Sequence, residues 1–220
     1  MSWESSLAYY RLINETTRER LGGLHSAPVV MYSLDFAEIE PLQLAGRWDE
    51  AALRLSSAAR ALESAGAELV LLCTNTMHRV ADEVQAGISV PFLHIADATA
   101  AEVHKSGIEA VGLLGTRYTM EESFYRGRLE QRHEFDVRIP GEEDRKLVHD
   151  IIYKELCRSE VLPASRETYQ RIIQQLIDSG AQGIILGCTE IGLLVQQSDV
   201  SVPLFDTARI HALAAVEAAI

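Results

Sequence analysis

The sequence predicts an α/β fold of two pseudo-symmetric lobes, each a mostly parallel sheet flanked by helices, with a site in the cleft between them. Three observations carry this. Short continuous apolar runs, such as Leu69–Cys73, Ala110–Leu114 and Gly183–Leu186, read as buried strands. Segments with apolar residues at helical spacing alternate with them, as in a parallel sheet covered on both faces. The chain also repeats itself: AGAELVLLCTNT (Ala65–Thr76) aligns with SGAQGIILGCTE (Ser179–Glu190). That alignment sets Thr74 opposite Cys188, each eight residues after its glycine. A second match, VPFLHIADAT (Val90–Thr99) against VPLFDTA (Val202–Ala208), follows at nearly the same spacing.

The elements follow in order. Pro28–Leu34 is a strand candidate. Trp48–Ala65 is a helix with apolar positions at Ala51, Leu53, Leu55, Ala58, Ala59 and Leu62, stopped by Gly66. Leu69–Cys73 is a strand and Thr76–Val84 a helix. Val90–Ile95 is a strand opening on Pro91, and Thr99–His104 continues a helix that Gly107 ends. Ala110–Leu114 is a strand running into Gly115-Thr116. Asp144–Leu156 and Arg166–Asp178 are helices, Gly183–Leu186 and Val202–Phe205 strands. The alanine-rich Ala208–Ala219 closes the chain as a helix. The lobes are expected to comprise residues 1–97 plus 208–220, and 98–207, the last helix crossing back. The second lobe opens on a strand and turn, AVGLLGTRYTM. The first opens at MSWES, which reads as the turn alone, so a strand ending in glycines is expected ahead of it.

Composition excludes several classes. The 220 residues are 47% hydrophobic and 24% charged, which rules out a disordered or collagen-like chain. A chain this long buries roughly 70% of its unfolded surface, enough for a full core. No apolar run reaches the ~18 residues of a membrane span, and the N-terminus lacks a basic and apolar leader. The expectation is a soluble, cytoplasmic protein. With 32 acidic against 20 basic residues, a net charge of −12 argues against nucleic acid or an anionic membrane as partner. Lys105, Lys146 and Lys154 are the only lysines, and none follows a strand in a Gly/Ser-rich loop, so a pyridoxal Schiff base is not favoured. Three cysteines make no disulfide framework in such a chain. His78 and Asp82 form the one tempting metal pair, without HExxH or CxxC, and no metal is expected. His211 reads as a packing histidine, and Cys157 as the buried face of a helix.

The chemistry concentrates in LCTNTMH (Leu72–His78) and LGCTEIG (Leu186–Gly192). Each lies at the carboxyl end of a strand, where open α/β sheets bind ligands. A helix starting there offers N–H groups to an anion and acidifies a thiol. Either segment alone also reads as a buried cysteine beside a threonine cap. Two at equivalent positions supply one proton-carrying side chain to each face of a carbon, which is what inversion by proton transfer requires.

On these residues the chain resembles the cofactor-independent aspartate/glutamate racemase superfamily over essentially its whole length. IILGCTEIGLL matches the second signature throughout. MSWES and Phe205-Asp206-Thr207…His211 resemble the first-turn and C-terminal segments, and CTNTMH is shared with the enterobacterial L-aspartate/glutamate-specific racemases. The resemblance implies an isomerase acting on an acidic amino acid, without cofactor, as a homodimer. The first signature departs from the commoner pattern: Thr74, not cysteine, directly precedes Asn75-Thr76. The internal repeat favours Thr74 in the cleft, and Cys73 takes its place if the strand bulges. Cys188 is then the competent base, for the L enantiomer by the subgroup resemblance, and Thr74 mainly a proton donor.

Further site residues are expected by the same resemblance. Glu190 holds the substrate ammonium, or else complements a helix N-terminus. Asn75, Thr76 and Thr189 donate to the α-carboxylate, and Thr116 faces the same cleft. Met1 and Ser2 form the corresponding turn of the first lobe. Gln43 contacts substrate as a neutral donor, beside or instead of Arg47, Arg117 or Arg158. The alternatives are a superfamily decarboxylase or cis–trans isomerase of a small dicarboxylate, and a non-catalytic dicarboxylate-binding protein.

Overall fold

The computed structural model describes all 220 residues as an α/β protein with two parallel sheets, one in each lobe. The chain opens with helix α1 (Trp3–Leu21), whose N-cap Ser2 accepts from the Ser5 N–H, then α2 (Phe36–Leu44) and α3 (Trp48–Ser64). Strand β1 (Val70–Leu71) leads through a short turn into a 3-10 helix (Thr76–Val80) and α4 (Ala81–Ala86). β2 (Phe92–Leu93) and α5 (Ile95–Lys105) complete this half, with β1 and β2 parallel. Its core is built on Ile39, Leu55, Val70, Met77 and Val84.

The second sheet runs in the order β4-β3-β5-β6, all parallel. β3 (Ala110–Gly115) enters α6 (Arg117–Glu121), a π turn (Ser123–Gly127) and α7 (Arg128–His133). β4 (Asp136–Arg138), α8 (Glu142–Lys154) and α9 (Pro163–Asp178) follow. β5 (Gly183–Gly187) turns into the one-turn α10 (Ile191–Leu194), and β6 (Leu204–Asp206) into α11 (Thr207–Ala219). β3 and β5 are buried on both faces, as central parallel strands must be. They approach closely at their ends, where a side chain on Gly187 would meet the Leu114 carbonyl at 2.8 Å. α11 returns to α1 through Tyr9, Ala208 and Ala212, against Leu71 and Cys73.

The repeated segments occupy equivalent places, β1 beside β2 and β5 beside β6. Pro28–Leu34, expected as a strand, pairs with nothing: its backbone is irregular and Val30, Met31 and Tyr32 are about half exposed. An apolar groove lies between this segment and β1, lined by Tyr9, Ile13, Leu55 and Leu62 among others. Without a ladder partner across the groove, an apolar sequence alone does not make a strand. Thr76–Val84 is a helix only in two pieces, 3-10 then α. No helix is long and apolar enough to cross a membrane.

Candidate active site

β1 stops at Leu71, and the Thr74 N–H then bonds the Leu72 carbonyl at 2.8 Å, a tight turn that breaks the strand's alternation. Cys73 consequently faces the apolar groove, while Thr74 faces a separate polar cleft with Cys188. His78 braces this turn. Its Nε2 accepts the Ile95 N–H at 3.2 Å, so the proton is on Nδ1 and is donated to the Thr74 carbonyl at 2.7 Å. Burial, with His94 and His211 nearby, drives the His78 pKa well below the histidine range and keeps the ring neutral. The Cys73 carbonyl accepts from Ser5 Oγ at 2.7 Å and from the Met1 amino group at 2.6 Å.

The cleft lies between the carboxyl ends of β1 and β5. It gathers Met1, Ser2, Gln43, Thr74, Asn75 and Thr76 from the first half with Thr116, Cys188, Thr189 and Glu190 from the second. The halves touch where Thr76 Oγ1 and Thr116 Oγ1 share a hydrogen bond of 2.9 Å. Phe36, Ile152, Tyr153 and Cys157 complete the walls. Nothing in the sequence marks these four, since each resembles the apolar face of a helix. Cys157 in fact lies half-buried in a 3-10 turn after α8 and lines the cleft, rather than a helix interior.

Glu190 organises the second signature. Its carboxylate accepts from Ser2 Oγ (2.6 Å), Thr189 Oγ1 (2.6 Å) and the Cys188 thiol (3.0 Å). Burial raises its pKa, but the Met1 ammonium and these three hydrogen bonds outweigh burial and hold it below the ordinary carboxylate value. Cys188 shows the reverse. Burial first, then the Glu190 charge and Cys157, push its thiol well above the ordinary value. A thiolate favoured by a helix N-terminus is therefore not the resting form. α10 has only four residues, and the group next to the thiol is a carboxylate.

No arginine or lysine side chain lines the cleft. Arg47 is exposed and pairs with Glu50, Arg117 bonds Tyr118 Oη at 3.2 Å, and Arg158 is exposed at the far end of its turn. Gln43 is the neutral alternative: it is 3% exposed, accepts from Tyr153 Oη at 2.9 Å and points its Nε2 at Met77 Sδ, 3.0 Å away. No three His, Cys, Asp or Glu side chains gather as a metal site. His211 bonds Tyr9 Oη and the Leu93 carbonyl, both at 2.9 Å, and does not line the cleft.

The chain is similar to known proteins in sequence and fold. The profile of the Asp/Glu/hydantoin racemase family matches residues 1–215. The crystal structure of a candidate Asp/Glu racemase from Yersinia pestis is 55% identical, with a TM-score of 0.92, covering 99% of this chain and 95% of that one. An aspartate racemase homologue from Pyrococcus horikoshii OT3 is 38% identical, TM-score 0.84, over 98% and 94%. The broad-specificity amino-acid racemase RacX of Bacillus subtilis is 25% identical over 166 residues, 72% of this chain and 68% of that protein. The chain belongs to the Asp/Glu/hydantoin racemase family, and is an amino-acid racemase, an isomerase.

Proposed function

We propose that the protein interconverts the enantiomers of an acidic amino acid, aspartate or glutamate, by proton transfer at the α-carbon between Cys188 and Thr74, without a cofactor. The observation that carries this is the single cleft that receives Thr74 from the end of β1 and Cys188 from the end of β5. In this reading residues 1–97 plus 208–220 and 98–207 are the two lobes, and the enzyme works as a cytoplasmic homodimer.

The chain's own groups can supply both proton transfers. Cys188 rests as a thiol and hands its proton to Glu190, its hydrogen-bond acceptor. The thiolate takes the α-hydrogen as a proton and becomes a thiol again. The electron pair left on the α-carbon spreads into the α-carboxylate, which Thr76 and Thr189 face. Thr74 delivers a proton from the opposite side, and exchange with solvent then returns a proton to Thr74 and removes the one on Glu190. Reversal of the same steps serves the other enantiomer. Gln43, its oxygen held by the Tyr153 hydroxyl, meets the side-chain carboxylate through its NH₂ as a neutral donor, which suits more than one chain length.

Incubation of single enantiomers of aspartate and glutamate in D₂O, read by chiral chromatography and mass, tests the reading. Inversion with one deuterium gained at the α-carbon is expected. Release of carbon dioxide, or binding without exchange, would replace it with one of the alternatives.

A further inference from the structure

The C-terminal segment singled out in the sequence places Thr207 next to the site without lining it. We propose that Thr207 is a positioning residue that fixes the Asn75 side-chain amide with its oxygen free for the substrate's α-ammonium. The inference rests on the amino-acid racemase reading above.

Thr207 is the first residue of α11 and fully buried. Its hydroxyl has one proton, and a backbone carbonyl can only accept. The 2.8 Å contact from Thr207 Oγ1 to the Leu186 carbonyl therefore takes that proton. The same oxygen must then accept at its 3.0 Å contact with Asn75, and the amide group facing it is the NH₂. An amide whose oxygen and nitrogen are otherwise hard to tell apart is thus oriented by a two-step relay from the end of β5. The opposite end, Asn75 Oδ1, is buried without any hydrogen-bond partner, although Asn75 is a wall of the cleft. A buried, unpaired acceptor is costly and is relieved only by a donor. Of the charged groups an amino acid brings, the α-carboxylate has no proton to give and the α-ammonium has three. Glu190 is already shared among Ser2, Thr189 and Cys188, so Asn75 is the acceptor left over.

Replacing the hydroxyl by a methyl lets the amide turn and offer NH₂ instead, a change that bears on the amine alone. The experiment compares the KM for L-aspartate with the inhibition constant for succinate, which has both carboxylates but no amine. Thr207→Val is expected to raise the KM about tenfold, leave succinate inhibition within about twofold and change kcat less than KM. Thr207→Ser, which keeps the relay, is expected to stay near the parent on all three. Thr207→Ala decides the matter if the valine variant does not fold. Equal weakening of aspartate and succinate, or no change in either, would overturn the positioning role while parent turnover still upholds racemisation. A parent enzyme that binds succinate but never inverts aspartate would overturn the functional reading, and this inference with it.

Discussion

Glu190→Gln separates two effects of one carboxylate that act in opposite directions. The Glu190 charge helps raise the Cys188 pKa, so removing it alone favours the thiolate. The same carboxylate is the thiol's acceptor at 3.0 Å, so removing it leaves the proton without a destination. Glutamine keeps the shape and one acceptor oxygen for Ser2 or Thr189. A positioned proton acceptor is worth about 10²–10⁴-fold in rate. Relief of the thiol pKa returns about tenfold per unit, so loss of the acceptor dominates. Turnover is expected to fall by about 10²-fold or more, while the thiolate, followed by its ultraviolet absorbance against pH, forms at lower pH than in the parent. Circular dichroism of aspartate gives the rate. Because the enantiomers are equal in free energy, kcat/KM is the same from either side and one direction suffices. Exchanging charged for neutral hydrogen bonds costs about 1–3 kcal/mol, a loss of about 2–4 °C in Tm for each. A glutamine variant as fast as the parent, with a more acidic thiol, would refute the acceptor role and leave Glu190 a bystander.

Other expectations follow from the same geometry. Chelators and carbonyl reagents should leave turnover intact, whereas alkylation should abolish it at a rate that climbs with pH, since burial and Glu190 keep Cys188 a thiol. Cys73→Ala should keep activity within about threefold and cost on the order of 1 kcal/mol, because Cys73 packs as a small hydrophobe against α1 and α11. Burial lowers the pKa of His78, of His94 to about 3 and of His211 to about 4. Their unfolded forms take up protons first, so stability is complete above pH ~6.5 and falls below it by about 1.4 kcal/mol per pH unit for each. Thermal melts between neutral and acid pH should show that decline, and a flat profile would contradict it.

β3 and β5 were legible because each is a continuous apolar run ending in Gly, the mark of a strand buried on both faces. α1 was not, since its buried residues are Ser5, Tyr9 and Thr17 and leave no apolar stripe to read. α2 hides behind an internal Pro41, and β4 is a three-residue edge bearing Asp136 and Arg138. Pro28–Leu34 misled for the opposite reason, an apolar run without a partner strand. The paired signatures announced a shared cleft. The internal repeat set Thr74 apart from Cys73, but a turn braced by His78, which no repeat discloses, aims the two. Tyr153 and Cys157 approach the cleft from about 80 residues away in sequence as loops close, and only packing brings them there.

The central claim is one proton-carrying group on each face of the substrate. It is tested most directly by following α-deuterium exchange in D₂O with Thr74→Ala and Cys188→Ala, one enantiomer of aspartate at a time. Thr74→Ala should exchange the α-hydrogen of the enantiomer that faces Cys188, with retention and without inversion, while Cys188→Ala leaves that enantiomer unexchanged. Inversion surviving in Thr74→Ala, and lost instead in Cys73→Ala, would contradict the account.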